Sequence, residues 1–204
     1  MMMKSVRLFV SAALSVVTVQ SFAQTPLDAL RKMFSDGAVS IEAVYEVPVR
    51  QTVLSGNTQL LVQGDMYHMK GNGLEVYCNG KTVWTIDDSA LEVVIEPSSD
   101  VEEEYVSSPV VLLSALDKYF NVHSQKSEDG YTKYQLEKIR DCGIESAVLV
   151  LDSAGKVVCG EFTLDDGSVM SLKVIEMKKA EEMPSTSFSP NKKFGSDWIV
   201  TDLR

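Results

Sequence analysis

The stretch "CNGKTVWTID", residues 78–87, indicates how the chain folds. Asn79-Gly80 is a strong signal for a tight β-hairpin, because these residues readily adopt the positive φ angles of a type I′ turn. The strand after the turn carries large apolar side chains, with Trp84 the largest. Such side chains either fill an ordinary core or line a space for a ligand, and this stretch alone leaves both possibilities open.

Similar turn signals recur on both sides of this hairpin: Gly56-Asn57, Gly71-Asn72-Gly73, Asp129-Gly130, Ala154-Gly155 and Asp166-Gly167. The segments between them are rich in β-forming residues, and they predict strands at 38–49, 58–70, 74–78, 82–86, 91–95, 131–139, 147–151, 157–164 and 168–177, with a last short strand at 198–201. Many short strands joined by tight turns indicate an antiparallel meander in a mainly β (α+β) protein. A sheet of about nine strands tends to curl into a closed or half-closed barrel.

Two helices interrupt this pattern. Thr25 is the expected N-cap of a short helix over 26–34, with Pro26 at its first position and one apolar stripe. Ser107-Ser108-Pro109 predicts the start of a second helix, which continues to residue 120 and is apolar almost all the way round. Such a helix needs enclosure, so we expect it to lie across the mouth of the curved sheet or inside it.

The N-terminus has the pattern of a secretory signal peptide, residues 1–23, with a basic start, an apolar stretch and a cleavage site at Ser21-Phe22-Ala23. A retained amphipathic helix is the alternative. The apolar stretch Leu8 to Val19 is too short to span a bilayer. We expect one exported domain over 24–204, and the cleavage site carries no cysteine for a lipid anchor.

Composition restricts the partners and the chemistry. The net charge of −10 becomes −12 without Lys4 and Arg7, which disfavours binding to nucleic acid and anionic lipid heads. The three cysteines are an odd number, and we expect Cys78 and Cys159 to be small apolar strand residues, the latter facing residue 150. The spacing places Cys142 beyond disulfide reach of Cys159.

No catalytic, metal-binding or cofactor-binding motif is apparent. His68 and His123 have no ligand spacing, and there is no nucleophile elbow or phosphate loop. Asp87-Asp88 and Asp165-Asp166 lie at strand ends, where aspartate caps its own backbone. The remaining signal is apolar strand surface rich in Met and aromatic residues, which suits either an adaptable cavity or a filled core.

Five segments, in order along the chain, match the pattern of one known family. They are "VQGDMYHMKGN" (62–72), "CNGKTVWTIDDSALEVV" (78–94), "SSPVVLLSAL" (107–116), "LVLDSAGKVVCGEFTLDDGSVMSLKV" (149–174) and "SFSPNKKF" (187–194). Together they resemble the LolA-type periplasmic carriers of outer-membrane lipoproteins. One departure is that Gly71-Asn72-Gly73 turns directly, where the family has a longer connection. Another is that Lys70 stands where the family has an arginine that hydrogen-bonds the lid, and lysine lacks the planar fork of donors.

The resemblance implies an incomplete, open β-barrel with an N-terminal helix and an apolar lid or plug helix. It implies a monomeric periplasmic carrier that performs no chemistry and requires no cofactor. Such a carrier takes acylated lipoproteins from an inner-membrane ABC lipoprotein-releasing complex, holds their acyl chains in a hydrophobic cavity and passes them to an outer-membrane acceptor. Exposing an acyl chain to water costs about 0.8 kcal/mol of free energy per methylene, so an acylated protein needs a carrier to leave its membrane.

Strand alternation and matched position together predict a lipid-binding cavity, and Lys70 is the candidate for the lid latch. The cavity residues are Met66, Tyr67, Met69, Trp84, Val93, Val111, Leu112, Leu116, Phe120, Phe162, Met170 and Leu172. A register error of one residue would invert parts of this list.

Other functions remain open at this stage. The outer-membrane receptor of the same pathway is similar but is itself a lipoprotein, and a periplasmic lipoprotein sensor usually carries another domain. Two alternatives come from other functional classes. One is a lipid hydrolase with dispersed catalytic residues, and the other is a protein-binding β-domain with a filled core.

Overall fold

The computed structural model describes residues 25–49, 52–98 and 112–204. It contains one curved, open sheet of twelve strands in the order β12-β6-β5-β4-β3-β2-β1-β11-β10-β9-β8-β7. The strands are β1 (Ala38–Val49), β2 (Thr52–Gln63), β3 (Met66–Gly71), β4 (Leu74–Asn79), β5 (Thr82–Asp87), β6 (Glu92–Pro97), β7 (Phe120–Glu128), β8 (Tyr131–Lys138), β9 (Ile144–Asp152), β10 (Val157–Leu164), β11 (Val169–Ala180) and β12 (Ile199–Asp202). The predicted fold class, a mainly β protein with an open half-barrel, is confirmed.

The described helices are few and short. They are α1 (Pro26–Ser35) and α2 (Leu116–Tyr119), with 3-10 turns at Leu113–Ala115 and Ser185–Phe188. In the described ranges no helix is both long enough and apolar enough to cross a membrane. We call residues 112–119 the second helical segment. The predicted start of this helix, at 107–109, lies outside the described residues.

Helix α1 begins as its sequence predicts. The backbone N–H of Asp28 donates to the Thr25 hydroxyl at 3.1 Å, and the Asp28 carboxylate accepts in return from the Thr25 N–H at 3.4 Å. This reciprocal capping box satisfies two backbone donors that the first turn would otherwise leave free. Leu27 and Leu30 are buried on one side of the helix, so α1 lies on the sheet through its apolar stripe.

Two predicted hairpin turns have the backbone that their sequences favour. Asn72-Gly73 and Asp129-Gly130 both have positive φ at both positions, as a type I′ turn requires. At Asn79-Gly80 the hairpin is correct but the turn type is not, because only Gly80 has positive φ (83°). Gly80-Lys81 forms the loop, the pattern of a type II′ turn, and the Asn79 side chain accepts from the N–H groups of Lys81 and Thr82.

Other predicted boundaries are wrong. The single strand over 58–70 is two strands, because Gly64 adopts a φ of +58° and the chain reverses at Gly64-Asp65. Gly56-Asn57 is not a turn; it lies inside β2 and pairs with β1. Strand β7 was not predicted, because the helix was expected to continue to residue 120. The meander is also incomplete, since β12 pairs with β6 in parallel.

The cysteines behave as predicted where they can be compared. All three are free, with Cys78 and Cys142 buried and Cys159 half-buried. Cys159 pairs with Val150 across β9 and β10, the register that the turn at Ala154-Gly155 predicts.

Candidate functional site

One face of the sheet is covered by both helical segments, and we call it the helix-covered face. Leu27 and Leu30 of α1 share a buried cluster with Leu112, Leu113 and Leu116 of the second helical segment. The sheet contributes most of the remaining members of this cluster, among them Val39, Ile41, Leu60, Tyr134, Leu149, Phe162 and Leu172. Every member is at most 7% exposed, so this face forms a closed apolar core.

Eight of the predicted cavity residues meet on the helix-covered face. Six belong to the buried cluster: Leu112, Leu116, Phe120, Phe162, Met170 and Leu172. Tyr67 and Met69 are half-buried and pack against it. The structure therefore brings these eight residues, which strand alternation and matched position had selected, together on one face.

The structure does not bring the other described members of the list to this face. On β3, Tyr67 and Met69 point to the helix-covered face, so Met66 points to the other one. Trp84 pairs with Tyr77 and Ile95, and Val93 pairs with Ile86, in a separate cluster on that opposite face. On β5 and β6 the predicted residues, Trp84 and Val93, are therefore one position away from those that face the helices. Val111 lies outside the described residues.

The opposite face over β3 to β6 is covered by residues 181–204, which we call the C-terminal segment. Phe194 and Trp198 pack on the cluster of Ile86, Val93 and Ile95, and their rings meet edge to face at 5.1 Å. The Lys192 ammonium lies 4.8 Å from the Trp198 ring centroid and forms an ion pair with Asp88. Trp84 therefore belongs to the packing beneath this segment.

Lys70 is exposed and, by strand alternation, lies on the face away from the two helical segments. A latch on the second helical segment would need a side chain on the other face of the sheet. A different pair joins the two helical segments. The Arg31 guanidinium of α1 donates to both carboxylate oxygens of Asp117, with Nε at 2.7 and 3.0 Å and Nη2 at 2.6 Å. Arg31 also donates to Asp28 at 3.0 Å.

The Arg31–Asp117 pair was not predicted, and the sequence contains little signal for it, since the residues are 86 positions apart. The hydrogen bonds to Asp117 raise the pKa of the Arg31 guanidinium further above its already high range. Both side chains remain about half exposed, at 44% and 58%. Water screens such a pair, so it stabilises the closed arrangement by about 1 kcal/mol or less.

A cleft of about 390 Å³ opens between the two helical segments. Its lining includes Leu30, Phe34, Leu113 and Leu116, with Arg31 and Asp117 at its rim. The cleft leads from solvent to the buried cluster of the helix-covered face. It is the position at which an apolar chain would enter the core if the helical segments moved apart.

A polar cluster lies on the opposite face at the border of the C-terminal segment. The Glu75 carboxylate accepts from the Tyr77 hydroxyl and contacts His68 Nε2, both at 2.9 Å, and the His68 and Tyr77 rings stack at 4.3 Å. Burial opposes ionisation of Glu75, but the bonds from His68 and Tyr77 outweigh it and lower its pKa. Burial and the Glu75 carboxylate raise the pKa of Tyr77 to about 12.

The other polar candidates have local partners. His123 contacts Glu137 on the surface of β7 and β8. Asp87 and Asp166 accept from hydroxyl and backbone groups two or three residues ahead, which lowers the pKa of each carboxyl. This is the turn-capping role that their sequence position predicts. Within the described ranges no group of three His, Cys, Asp or Glu residues is arranged to hold a metal ion.

Comparison with known proteins finds similar folds among solved structures. No model of a protein family matches the sequence, and no curated protein matches it. An uncharacterized conserved protein from Thermus thermophilus matches at a TM-score of 0.52 and 17% identity, over 87% of this chain and 96% of its own.

Two further matches have lower scores. A LolA superfamily protein from Nitrosomonas europaea matches at a TM-score of 0.48 and 14% identity, over 83% of this chain and 98% of its own. An outer membrane lipoprotein-sorting protein domain from Vibrio parahaemolyticus matches at a TM-score of 0.44 and 13% identity. The match covers 79% of this chain and 95% of that domain. At these identities the likeness shows the fold alone.

Proposed function

We propose that the protein is a periplasmic carrier that holds the acyl chains of lipoproteins on its helix-covered face. In this role it accepts an acylated lipoprotein from an inner-membrane ABC lipoprotein-releasing complex and delivers it to an outer-membrane acceptor. It acts as a monomer and makes or breaks no bond. The binding residues are the eight predicted ones that meet on this face, with Leu30, Phe34 and Leu113 added from the cleft.

The observation that carries this proposal is the way in which the apolar core is closed. The two helical segments contribute buried leucines to it, and the exposed Arg31–Asp117 pair joins them through polar groups. Helix α1 also donates the backbone N–H of Leu27 to the Tyr134 hydroxyl of β8 at 3.3 Å. Moving the second helical segment away from α1 therefore breaks a screened ion pair and leaves the hydrogen bonds between paired strands intact. Acyl chains entering through the cleft would replace the apolar contacts that the separation removes.

Adaptable side chains at the sheet surface suit this exchange. Met170 lies in the core and Met69 packs against it, and methionine rearranges readily around ligands of irregular shape. Burial of an acyl chain contributes about 0.8 kcal/mol per methylene, so a chain of a dozen methylenes offsets the cost of opening several apolar contacts.

Native mass spectrometry of the protein, purified with and without a co-expressed triacylated lipoprotein, tests the proposal. We expect a one-to-one complex. Phe34→Glu places a charge in the cleft at a half-buried position, and we expect it to abolish the complex while the fold persists. The matched control is Ile175→Glu, at a side chain that is 57% exposed and does not line the cleft.

The outcomes separate clearly. A complex lost in Phe34→Glu and kept in Ile175→Glu supports binding through the cleft. A bare, folded monomer under all conditions contradicts the carrier and favours a protein-binding domain with a permanently filled core. A complex that both variants retain would place the acyl chains elsewhere on the molecule.

A further inference from the structure

A second apolar depression lies on the opposite face, away from the helices and the C-terminal segment. It has a volume of about 560 Å³ and crosses β8, β9, β10, β11 and β1. Its apolar lining includes Val44, Val148, Val150, Val158 and Cys159. Most of these residues are half-buried, and Val158 is 37% exposed. This groove is separate from the cleft between the helical segments.

Four charged side chains border the groove. Lys133 lies on β8 at one end and Glu46 on β1 at the other, with Glu161 and Lys173 on the strands between them. Within the described part of the chain, none of the four forms an ion pair or a side-chain hydrogen bond. Elsewhere on the sheet the same residue types are paired; Lys138, for example, contacts both Glu145 and Asp165.

The dimensions of the groove favour an extended chain. Five adjacent strands have four spacings of about 4.8 Å, which gives a length of about 19 Å. The residues that form its two sides, such as Cys159 and Glu161, are two positions apart along a strand, or about 7 Å. A helix with side chains is about 10 to 12 Å wide and is too thick for this space. About six residues of extended polypeptide would span its length at roughly 3.3 Å each.

The charges favour a polypeptide over the other possible occupants. The anionic head of a lipid could pair with Lys133 or Lys173, but a lipid would place no positive charge opposite the carboxylates of Glu46 and Glu161. A second copy would set one concave surface against another and leave a void at the centre, which costs dispersion contacts. A polypeptide segment can satisfy both ends of the groove, with an acidic residue over Lys133 and a basic residue over Glu46. Small apolar residues between them would pack on the valines that form the floor of the groove.

We propose that this groove is a docking site for an extended polypeptide segment of about six residues, apolar at its centre and oppositely charged at its ends. The site is independent of acyl-chain binding on the helix-covered face. Because the inner strands already use their backbone hydrogen bonds within the sheet, recognition occurs through side chains rather than by addition of a strand.

Saturation-transfer NMR with three blocked hexapeptides tests this proposal. Each has four central valines; the ends are one lysine and one glutamate in the first, two lysines in the second and two glutamates in the third. We expect the mixed-charge peptide to bind the wild-type protein about threefold more tightly than either like-charged peptide, as exposed ion pairs allow. Lys133→Glu makes both ends of the groove acidic, so its preference should change to the dilysine peptide.

Val158→Asp tests whether the apolar lining of the groove contributes to binding, and Ile175→Asp is the matched surface control. We expect Val158→Asp to lose binding of all three peptides while its circular dichroism spectrum is unchanged. Equal affinity for the three peptides, no binding of any, or an unchanged preference in Lys133→Glu would overturn the proposal. Displacement of the peptide by palmitate, or a dimer that only Val158→Asp dissociates, would overturn it in favour of a lipid or a second copy.

Discussion

The two faces of this one sheet are covered in different ways. The helix-covered face is closed by side-chain packing, with an exposed ion pair between α1 and the second helical segment and a hydrogen bond from Leu27 of α1 to Tyr134 of β8. The opposite face over β3 to β6 is closed by the C-terminal segment, whose strand β12 hydrogen-bonds to β6. Helices can leave a sheet without breaking its ladder, whereas the C-terminal segment cannot. In the proposed function, the helical cover is therefore the one that opens for a ligand.

The largest expected difference between the two faces is the loss of folding stability when a packed side chain is truncated. Phe162 is fully buried beneath the helices, so Phe162→Ala should lower the free energy of unfolding by about 3–5 kcal/mol. Val150→Ala, at a half-buried position in the groove of the opposite face, should cost about 1 kcal/mol. Urea unfolding followed by circular dichroism measures both, and equal losses would contradict the assignment of the main core to the helix-covered face.

A smaller effect concerns the contact between α1 and the sheet. Gly155 has a φ of +80°, and a Cβ there would lie 2.5 Å from the Pro26 carbonyl oxygen and 2.6 Å from the Ala29 Cβ. Gly155→Ala should therefore cost about 3 kcal/mol, combining backbone strain with displacement of the helix. Urea unfolding gives this value directly.

Gly167→Ala is the matched control for that variant. Gly167 has the same φ of +80°, but no atom lies within 4 Å of the position that an added Cβ would take, so only the strain of about 1 kcal/mol applies. If the two variants lose the same stability, α1 does not rest on the β9–β10 turn as described.

The smallest effect concerns the polar cluster of the opposite face. The pKa of Tyr77 is raised to about 12 because the neutral hydroxyl is partly buried and bonded to Glu75. Since the folded-state pKa lies above the ordinary value near 10, this contribution to stability is complete below about pH 10 and is lost as pH rises through about 12. Absorbance of tyrosinate, with Tyr77→Phe as the difference reference, should show this late titration.

Glu75→Gln should move the Tyr77 titration back toward its ordinary range, because it removes the nearby negative charge. A Tyr77 midpoint near the ordinary value of about 10 in the unaltered protein would show that the hydroxyl is not held by Glu75.

Local chemistry made much of the fold predictable. The capping box at Thr25 and the Asn72-Gly73 turn depend on neighbouring residues, and both were visible in the sequence. The reversal at Gly64-Asp65 was missed because apolar residues continue on both sides of it and give the appearance of one long strand. Strand β12 was expected as a short strand, but its parallel partner lies far away in sequence.

The candidate site was predictable only in part, because the face on which a residue lies depends on the register of its strand. Eight residues of the list meet on the helix-covered face, but Met66, Trp84 and Val93 point the other way. Both faces of β5 and β6 carry apolar residues, since the C-terminal segment covers one of them, so alternation could not identify the inner face. The Arg31–Asp117 pair forms between elements far apart in sequence, and nothing local indicates it.

The central claim, that acyl chains bind on the helix-covered face, is tested most directly by photo-crosslinking. Benzoylphenylalanine would replace Phe34 in the cleft in one protein and Val158 in the opposite groove in another, each co-expressed with a triacylated lipoprotein. We predict adducts to the acylated N-terminus of the lipoprotein from position 34 and none to the acyl chains from position 158. Acyl adducts from position 158 alone, or from neither position, would contradict the account.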